Sequence, residues 1–368
     1  MANFNGQLRP NEIFASLYNM VISQQVFADN LSGTFSDLVD MARVDGTLYG
    51  DTKLYYATDV LQSRDWLNDA EAANLLAINR PDAPKTQAIK LDVFRQIDIT
   101  VDNYLSKRAW GNEGAFTSFN SVILGWVRDT KRLYDSTTYN IFIGTDETAI
   151  GKQTDTIDLD GATTGLTGEE KSRVRAATIA QEIAKIRTGL KKPSRDYNDY
   201  GFMRSYNPDE FVYVWNTDYL AEIEKRDLPT SFHKDFVEKL GEHELPPEYF
   251  GTINGKTVTT SNGTTIRSLI EQTVQDGSGH KYHLFAGDLV PANVTLADSS
   301  KVIYPTYTVN PKVICKIYKT KAVPFMSAFE VGTSFFNPRS LTENHYLTWG
   351  HNTIEHLSNY PFITVKEK

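Results

Sequence analysis

A chain of 368 residues with 40% hydrophobic and 23% charged side chains is too long for one small core and reads as two or three subdomains of ordinary globular composition. Its net charge of −8, with no long basic run, argues against a strong sequence-independent grip on nucleic acid, which needs Lys and Arg on phosphates. Cys315 is the single cysteine, which excludes an intrachain disulfide and a cysteine-built zinc site, and no apolar run approaches membrane-spanning length.

The opening MANFNGQLRPNEIF is polar and lacks the apolar core of a signal peptide, so a soluble protein, intracellular where it is made, is expected. Nineteen tyrosines and 19 phenylalanines suit either aromatic cores or wide protein–protein contact, because each ring buries much area.

Asn11–Asp29 reads as a short amphipathic helix, with Ile13, Phe14, Leu17, Tyr18, Val21 and Ile22 on one face after the start signals Pro10 and Asn11. Such a stripe must dock on the body or on a neighbouring subunit. Gly46 to Pro84 differs. Gly46 and Gly50 bracket a turn, Lys53–Val60 reads as a strand, Asp69–Leu76 as a turn or two of helix, and Pro81 and Pro84 end it. An excursion of this length without a core is usually functional or partner-bound. Its Lys53, Tyr55, Tyr56 and Trp66 are therefore expected at an inter-subunit contact, where Trp and Tyr are favoured.

Ile89–Val101 predicts a long strand with one buried face. Ile89, Leu91, Val93, Ile97, Ile99 and Val101 alternate with polar residues, and Phe94 and Arg95 break the alternation.

The chain is organised around Trp110–Gly144, read as one amphipathic helix. Phe116, Phe119, Val122, Ile123, Trp126, Val127, Thr130, Leu133 and Tyr134 recur at steps of three and four. Phe119, Val122, Trp126 and Leu133 are expected to be buried, whereas Arg128, Asp129, Lys131, Arg132 and Asp135 should face water or a polar neighbour. Glu113 favours the helix start and Gly144 its stop. If Ala115 to Phe142 is continuous, the helix spans about 42 Å at 1.5 Å per residue.

Thr145 to Gly165 predicts a polar loop or hairpin. Thr167 with Glu170 makes a capping box opening a helix to about Leu190. A strand at Phe211–Trp215, a helix at Asp218–Lys225 and a short helix around Phe232 to Leu240 point to a separate α/β subdomain. Thr252–Gly279 suggests hairpins and loops. Val302–Tyr307, Val313–Tyr318, Ala322–Val331, Tyr346–Trp349 and Phe362–Val365 read as strands, and Asn337-Pro338-Arg339 as a turn.

Motifs for chemistry are weak. Gly251-Thr-Ile-Asn-Gly255-Lys256-Thr257 is one residue short of a phosphate-binding loop, and VTTSNGTT rather than a helix follows it, so a β-turn with a solvent-facing Lys256 is the better reading. Asp158 and Asp160 suggest a calcium loop, yet Thr156 and Thr167 stand where its first and last ligands belong. His233 and His243, His280 and His283, and His351 and His356 lack zinc-ligand context. No metal, cofactor or catalytic residue is assigned, and the chain reads as architecture.

Ala109-Trp110-Gly111-Asn112, Ser194-Arg195-Asp196-Tyr197-Asn198 and Thr217-Asp218-Tyr219-Leu220-Ala221-Glu222-Ile223 stand in a characteristic order with Glu248-Tyr249-Phe250-Gly251 and Asn337-Pro338-Arg339. In that order the chain resembles the major capsid proteins of small short-tailed (podovirus) phages of Gram-positive bacteria, which have the Hong Kong-97-type, or Johnson, capsid fold. The resemblance covers most of the chain; Gly255 to Thr320 departs from it as a local insertion, and the immunoglobulin-like domain that some relatives append is not expected after Val365. It implies an α+β fold with an N-terminal arm (1–45), an extended loop (46–85), a peripheral domain with a spine helix (86–144 and 321–368) and an axial domain (145–320). It further implies self-assembly, in the host cytoplasm, into pentamers and hexamers of an icosahedral virion head, with a separate scaffolding protein, a portal and weakly contacted double-stranded DNA as partners. The alternatives are an encapsulin-like compartment shell, or a nucleotide-dependent cytosolic enzyme using Gly251 to Thr257.

Overall fold

The structure is a computed structural model that describes residues 37–46, 52–63, 65, 78, 80–102, 113–146, 153–224, 243–254, 257–259, 265–292, 294–297 and 306–368. For residues 102, 113–124, 257–259, 295–297 and 329 only the backbone is described. Asn11–Asp29, Trp66, Asp69–Leu76, the Ala109–Asn112 motif, Phe232 to Leu240 and Lys256 lie outside the described residues, as do the side chains of Phe119 and Val122.

In chain order the described elements begin with α1 (Asp37–Ala42), β1 (Arg43–Asp45), β2 (Thr52–Ala57), β3 (Lys85–Asp102) and α2 (Glu113–Gly144). Next come β4 (Thr145–Asp146), β5 (Thr154–Ile157), α3 (Leu159–Ala162), α4 (Gly168–Lys191), β6 (Phe211–Asn216), α5 (Thr217–Glu224) and β7 (His243–Leu245). There follow β8 (Gly251–Ile253), β9 (Thr257–Thr259), β10 (Ile266–Ser268), β11 (Gln272–Gln275), β12 (Lys281–Leu284), β13 (Thr295–Ala297) and β14 (Thr306–Val309). The chain closes with β15 (Val313–Lys319), β16 (Phe325–Asn337), β17 (Thr342–Asn352) and β18 (Phe362–Glu367).

Two five-stranded sheets dominate, in the orders β1-β16-β17-β3-β2 and β5-β18-β15-β6-β7. The second is the buried one. Its β6 reads FVYVWN, an apolar run fit for burial on both faces. Phe211, Tyr213 and Trp215 pack with Ala176, Ile179, Ile183, Ile186 and Leu190 of α4, whose spacing of three and four gives one apolar stripe. Val214 faces the other way, against Leu38, Val39 and Ala42 of α1 and Tyr139 and Ile143 of α2. The sheet is thus covered by α4 and α5 on one side and by the end of the long helix on the other.

That helix, α2, runs unbroken for 32 residues, about 48 Å at 1.5 Å per residue. It stops where the chain needs it to. A Cβ on Gly144 would lie 2.2 Å from the Tyr249 carbonyl oxygen, so only glycine fits that approach. The stripe is rotated from the sequence expectation. Val127, Lys131, Tyr134, Asp135, Thr138 and Tyr139 are buried, whereas Thr130 is exposed, Leu133 is half-buried, and Trp126, expected in the core, is 38% exposed. The reason is pairing: the Lys131 ammonium reaches Asp135 at 3.0 Å and Glu330 at 3.5 Å, and Arg43 of β1 reaches Asp135 at 3.4 Å. Two charged residues can then occupy the inner face, which turns Trp126 outward.

The strand β3 corrects a second expectation, because its alternation continues through Phe94 and Arg95. Arg95 lies on the inner face, donating to the Glu271 carbonyl at 2.7 Å with its guanidinium over the Tyr134 ring. Phe94 lies outside, close against Gly350 of the neighbouring β17. Thr167 does precede α4, but its side chain makes no capping hydrogen bond. Gly168 has φ +60°, and that left-handed residue turns the hydroxyl away from the first helical amides.

The closing strand β18 lies beside β15 in the second sheet, so the expected peripheral stretch 321–368 gives its last strand to the other sheet. The departing segment 255–320 has a small core of its own, formed by Ile266, Val274, Leu284, Val290 and Val294.

Candidate assembly interface

The first sheet reaches beyond the body. Its strands β3, β16 and β17 are 18, 13 and 11 residues long, well past the usual five or six. Near the body Ile89, Leu91, Met326, Ala328 and Leu357 are buried together. Farther out the sheet is open. Phe335 and Phe336 pair in register with Asn344 and Glu343 at the hairpin end, and they are 64% and 48% exposed. Consecutive strand residues point to opposite faces, so one phenylalanine stands on each side of the hairpin. Val331 and Leu341 are exposed as well. Leu341 has φ 54°, unusual for a residue with a Cβ, and the tight return after Asn337-Pro338-Arg339 imposes it.

The edge strand β2 splits its residues by face. Tyr55 turns inward onto the Ile89–Leu91–Met326 cluster. A strand paired with β3 must bury one face, and Tyr55, expected at a contact with another copy, is on that face and partly buried. Lys53, on the same face, is half-buried and donates to the Asp45 carbonyl within the chain. Leu54 and Tyr56 are on the other face, and Tyr56 is 66% exposed; Val60 and Leu61 beyond the strand are exposed too.

Several titratable groups elsewhere are paired with one another. A cleft of about 360 Å³ lined by Asp146, Asp199, His356 and Thr364 holds Lys366 against Asp146 and His356 against Asp199, at 2.5 Å and 2.9 Å. His283 meets Glu271 at 3.0 Å, and His280 meets Asp276 at 3.4 Å. Buried His351 donates from Nδ1 to the Asn352 carbonyl and accepts from the Tyr134 hydroxyl at Nε2; burial lowers its pKa. Asp158 caps the Gly161 amide, as a turn residue would. Among the described residues no three His, Cys, Asp or Glu side chains gather to hold a metal ion. Among them also, no helix is long and apolar enough to cross a membrane.

Of the sequence-predicted contact residues, the described structure leaves Tyr56 on the surface and draws Tyr55 and Lys53 inward; Trp126, expected in the helix core, is on the surface too. Sequence reasoning missed Phe335 and Phe336. Their signal was present: two adjacent aromatics directly before an Asn-Pro turn cannot both face one core.

A long helix along an extended, open-ended sheet, joined to a helix-covered sheet, defines a tailed-phage capsid subunit of the Hong Kong-97-type fold. Solved structures support this. A chain in the capsid structure of Staphylococcus phage Andhra aligns with TM-score 0.57 and 9% identity, covering 100% of this chain and 88% of that one. A chain from the structure of head fiber and inner core protein gp22 of native bacteriophage P68 aligns with TM-score 0.61 and 10% identity, covering 100% and 91%. At such identities the likeness is one of fold. Comparison with curated protein sequences gives no match. The profile of the Phi29-like phage major capsid protein family matches residues 4–364, and the chain belongs to that family. It is a phage head shell protein, one that self-assembles into capsid shells and resides in the virion.

Proposed function

We propose that the chain forms pentamers and hexamers of an icosahedral head enclosing double-stranded DNA, and that it acts through repeated contact without catalysis. The observation carrying this reading is the apolar population of the protruding sheet: Leu54, Tyr56, Val331, Phe335 and Phe336 stand in water in the single chain. Groups of that kind seldom stay together on the surface of a soluble monomer.

In this reading residues 1–45 are an arm and 46–85 an extended loop. Residues 86–144 and 321–361 form the peripheral domain, and 145–320 with the closing strand form the axial domain. A separate scaffolding protein and a portal are the other partners, in keeping with the family. The net charge of −8 favours weak contact with packaged DNA, because a strong phosphate grip would oppose packing and release.

The test is electron microscopy of purified protein beside the variant Phe335→Ser/Phe336→Ser. Native protein should give shells or capsomers. The variant should keep its circular dichroism and fail to close, since a buried interfacial aromatic contributes roughly 2 kcal/mol or more. Normal shells from the variant would remove the hairpin end from the interface.

A further inference from the structure

The root of the excursion after β2 is clamped to the body from two directions. Asp59 Oδ2 accepts from Arg195 Nη1 at 2.6 Å, and Asp59 Oδ1 accepts from the backbone amides of Met203 and Val60, both at 2.8 Å. Arg204 donates to the Thr58 carbonyl and, through Nε, to Asn359 at 3.2 Å. On the returning strand, the Gln87 amide donates to the His356 carbonyl at 2.9 Å and accepts from the Ser358 amide at 3.0 Å.

The loop that receives Asp59 is itself braced. Ser194 and Arg204 exchange backbone hydrogen bonds at 2.9 Å each. The Asn198 side chain bridges the amide and carbonyl of Phe202, at 2.8 and 2.7 Å. Gly201, at φ +66°, allows the tight turn, and its carbonyl takes a second bond from Arg195 at 2.7 Å. A carboxylate with three directed donors, one of them charged, fixes direction more sharply than a lone ion pair. The Met203 amide and Arg195 lower the pKa of Asp59, so the contact stays ionised into mild acid.

Arg195 is half exposed, and exposed ion pairs contribute little to folding stability. The consequence lies in orientation. Asp59 stands between the exposed Leu54 and Tyr56 of β2 and the exposed Val60 and Leu61. A closed shell repeats one contact geometry around every axis, so an angular error at the root recurs in each subunit.

We propose that Asp59 and Arg195 form a positioning pair for assembly, fixing the direction in which the outer face of β2 and the start of the excursion meet a neighbouring copy. This rests on the reading above that this face contacts a second copy. The experiment compares shell yield, by sedimentation and electron microscopy, with circular dichroism and thermal melts of the full chain. Asp59→Ala should lower shell yield roughly tenfold or more, the effect of a single weakened contact, while the subunit melt holds. Asp59→Glu, which keeps the charge and a carboxylate, should restore most of it. Should Asp59→Ala not fold, Arg195→Ala against Arg195→Lys makes the same comparison, because it leaves the Met203 and Val60 bonds in place. Native shell yield from the alanine variants, or no recovery with the charge-retaining ones, overturns the positioning pair. Leu54→Ser/Tyr56→Ser separates the two ideas. Normal shells from it sink the underlying interface reading. Loss of shells there beside normal assembly of Asp59→Ala sinks the positioning pair alone.

Discussion

Lys316 stands in the middle of the central strand β15 with no accessible surface. Its Nζ donates to Thr364 Oγ1 at 2.7 Å and lies 4.2 Å from the centre of the Phe362 ring. A charged ammonium carries three donors and wants them all satisfied. Burial pushes its pKa down from 10.5 to about 7, and nearby Asp146 only partly opposes this. The unfolded chain therefore holds a proton, between pH 7 and 10.5, that the folded chain has released. The contribution of Lys316 to stability therefore rises with pH across that window, since at this site the unfolded state binds more protons. At neutral pH, neutralising the amine costs roughly 4–5 kcal/mol at 1.36 kcal/mol per pKa unit. Lys316→Met should unfold at higher denaturant than the native chain near pH 7, and its advantage should shrink toward pH 10. Denaturant titrations at the two pH values check this; an advantage independent of pH would mean that the lysine is not buried as a neutral amine. Its neighbour Cys315 is buried in the opposite cluster, where burial raises its pKa, and a thiol held in that form is a poor nucleophile.

At the scale of elements, the long helix shows what a sequence pattern carries and where it fails. Its existence was legible from spacings of three and four, as were α4 and β3, because periodicity reports burial directly. The rotation of its stripe was not. Lys131 and Asp135 look like surface residues until Arg43, 92 positions earlier in the chain than Asp135, is brought alongside. Ion pairing across that separation leaves no local trace. Of the candidate site, the strand of the excursion was legible, while the separation of Tyr55 from Tyr56 needed period two applied within it. The Asp59 clamp depends on a loop more than 130 residues away and had no local signal. The rotated stripe makes a test. Ile143 is wholly buried, so Ile143→Ala should cost about 2–5 kcal/mol. Trp126→Ala should cost about 0.5 kcal/mol or less in the isolated subunit, as surface substitutions do. Chemical denaturation of both variants checks the pair of values; a large loss at Trp126 would return it to the core.

At the scale of the molecule, one sheet is for folding and the other reaches outward. The β5-β18-β15-β6-β7 sheet is buried between helices, and the β1-β16-β17-β3-β2 sheet is anchored at one end and open at the other. The strand β2 lies where these two demands meet. Tyr55 packs on Ile89, Leu91, Met326 and Leu357 within the chain, whereas Tyr56, its neighbour, is exposed. Substituting each in turn should therefore separate folding from assembly on a single strand. Tyr55→Ser removes a partly buried ring from a satellite core, so the subunit should lose roughly 1–3 kcal/mol, in the common range for a destabilising substitution. Tyr56→Ser should leave the melt of the subunit unchanged, because its ring is exposed, and in the proposed assembly it should lower the yield of closed shells. A whole-strand deletion could not distinguish these effects, since it would take Tyr55 from the core along with Tyr56. Thermal melts of the subunit beside particle counts by electron microscopy give both readouts from one preparation. Equal losses of stability from the two variants would mean that both faces of β2 are buried in the chain, and the outer face would then have no part in the shell contact.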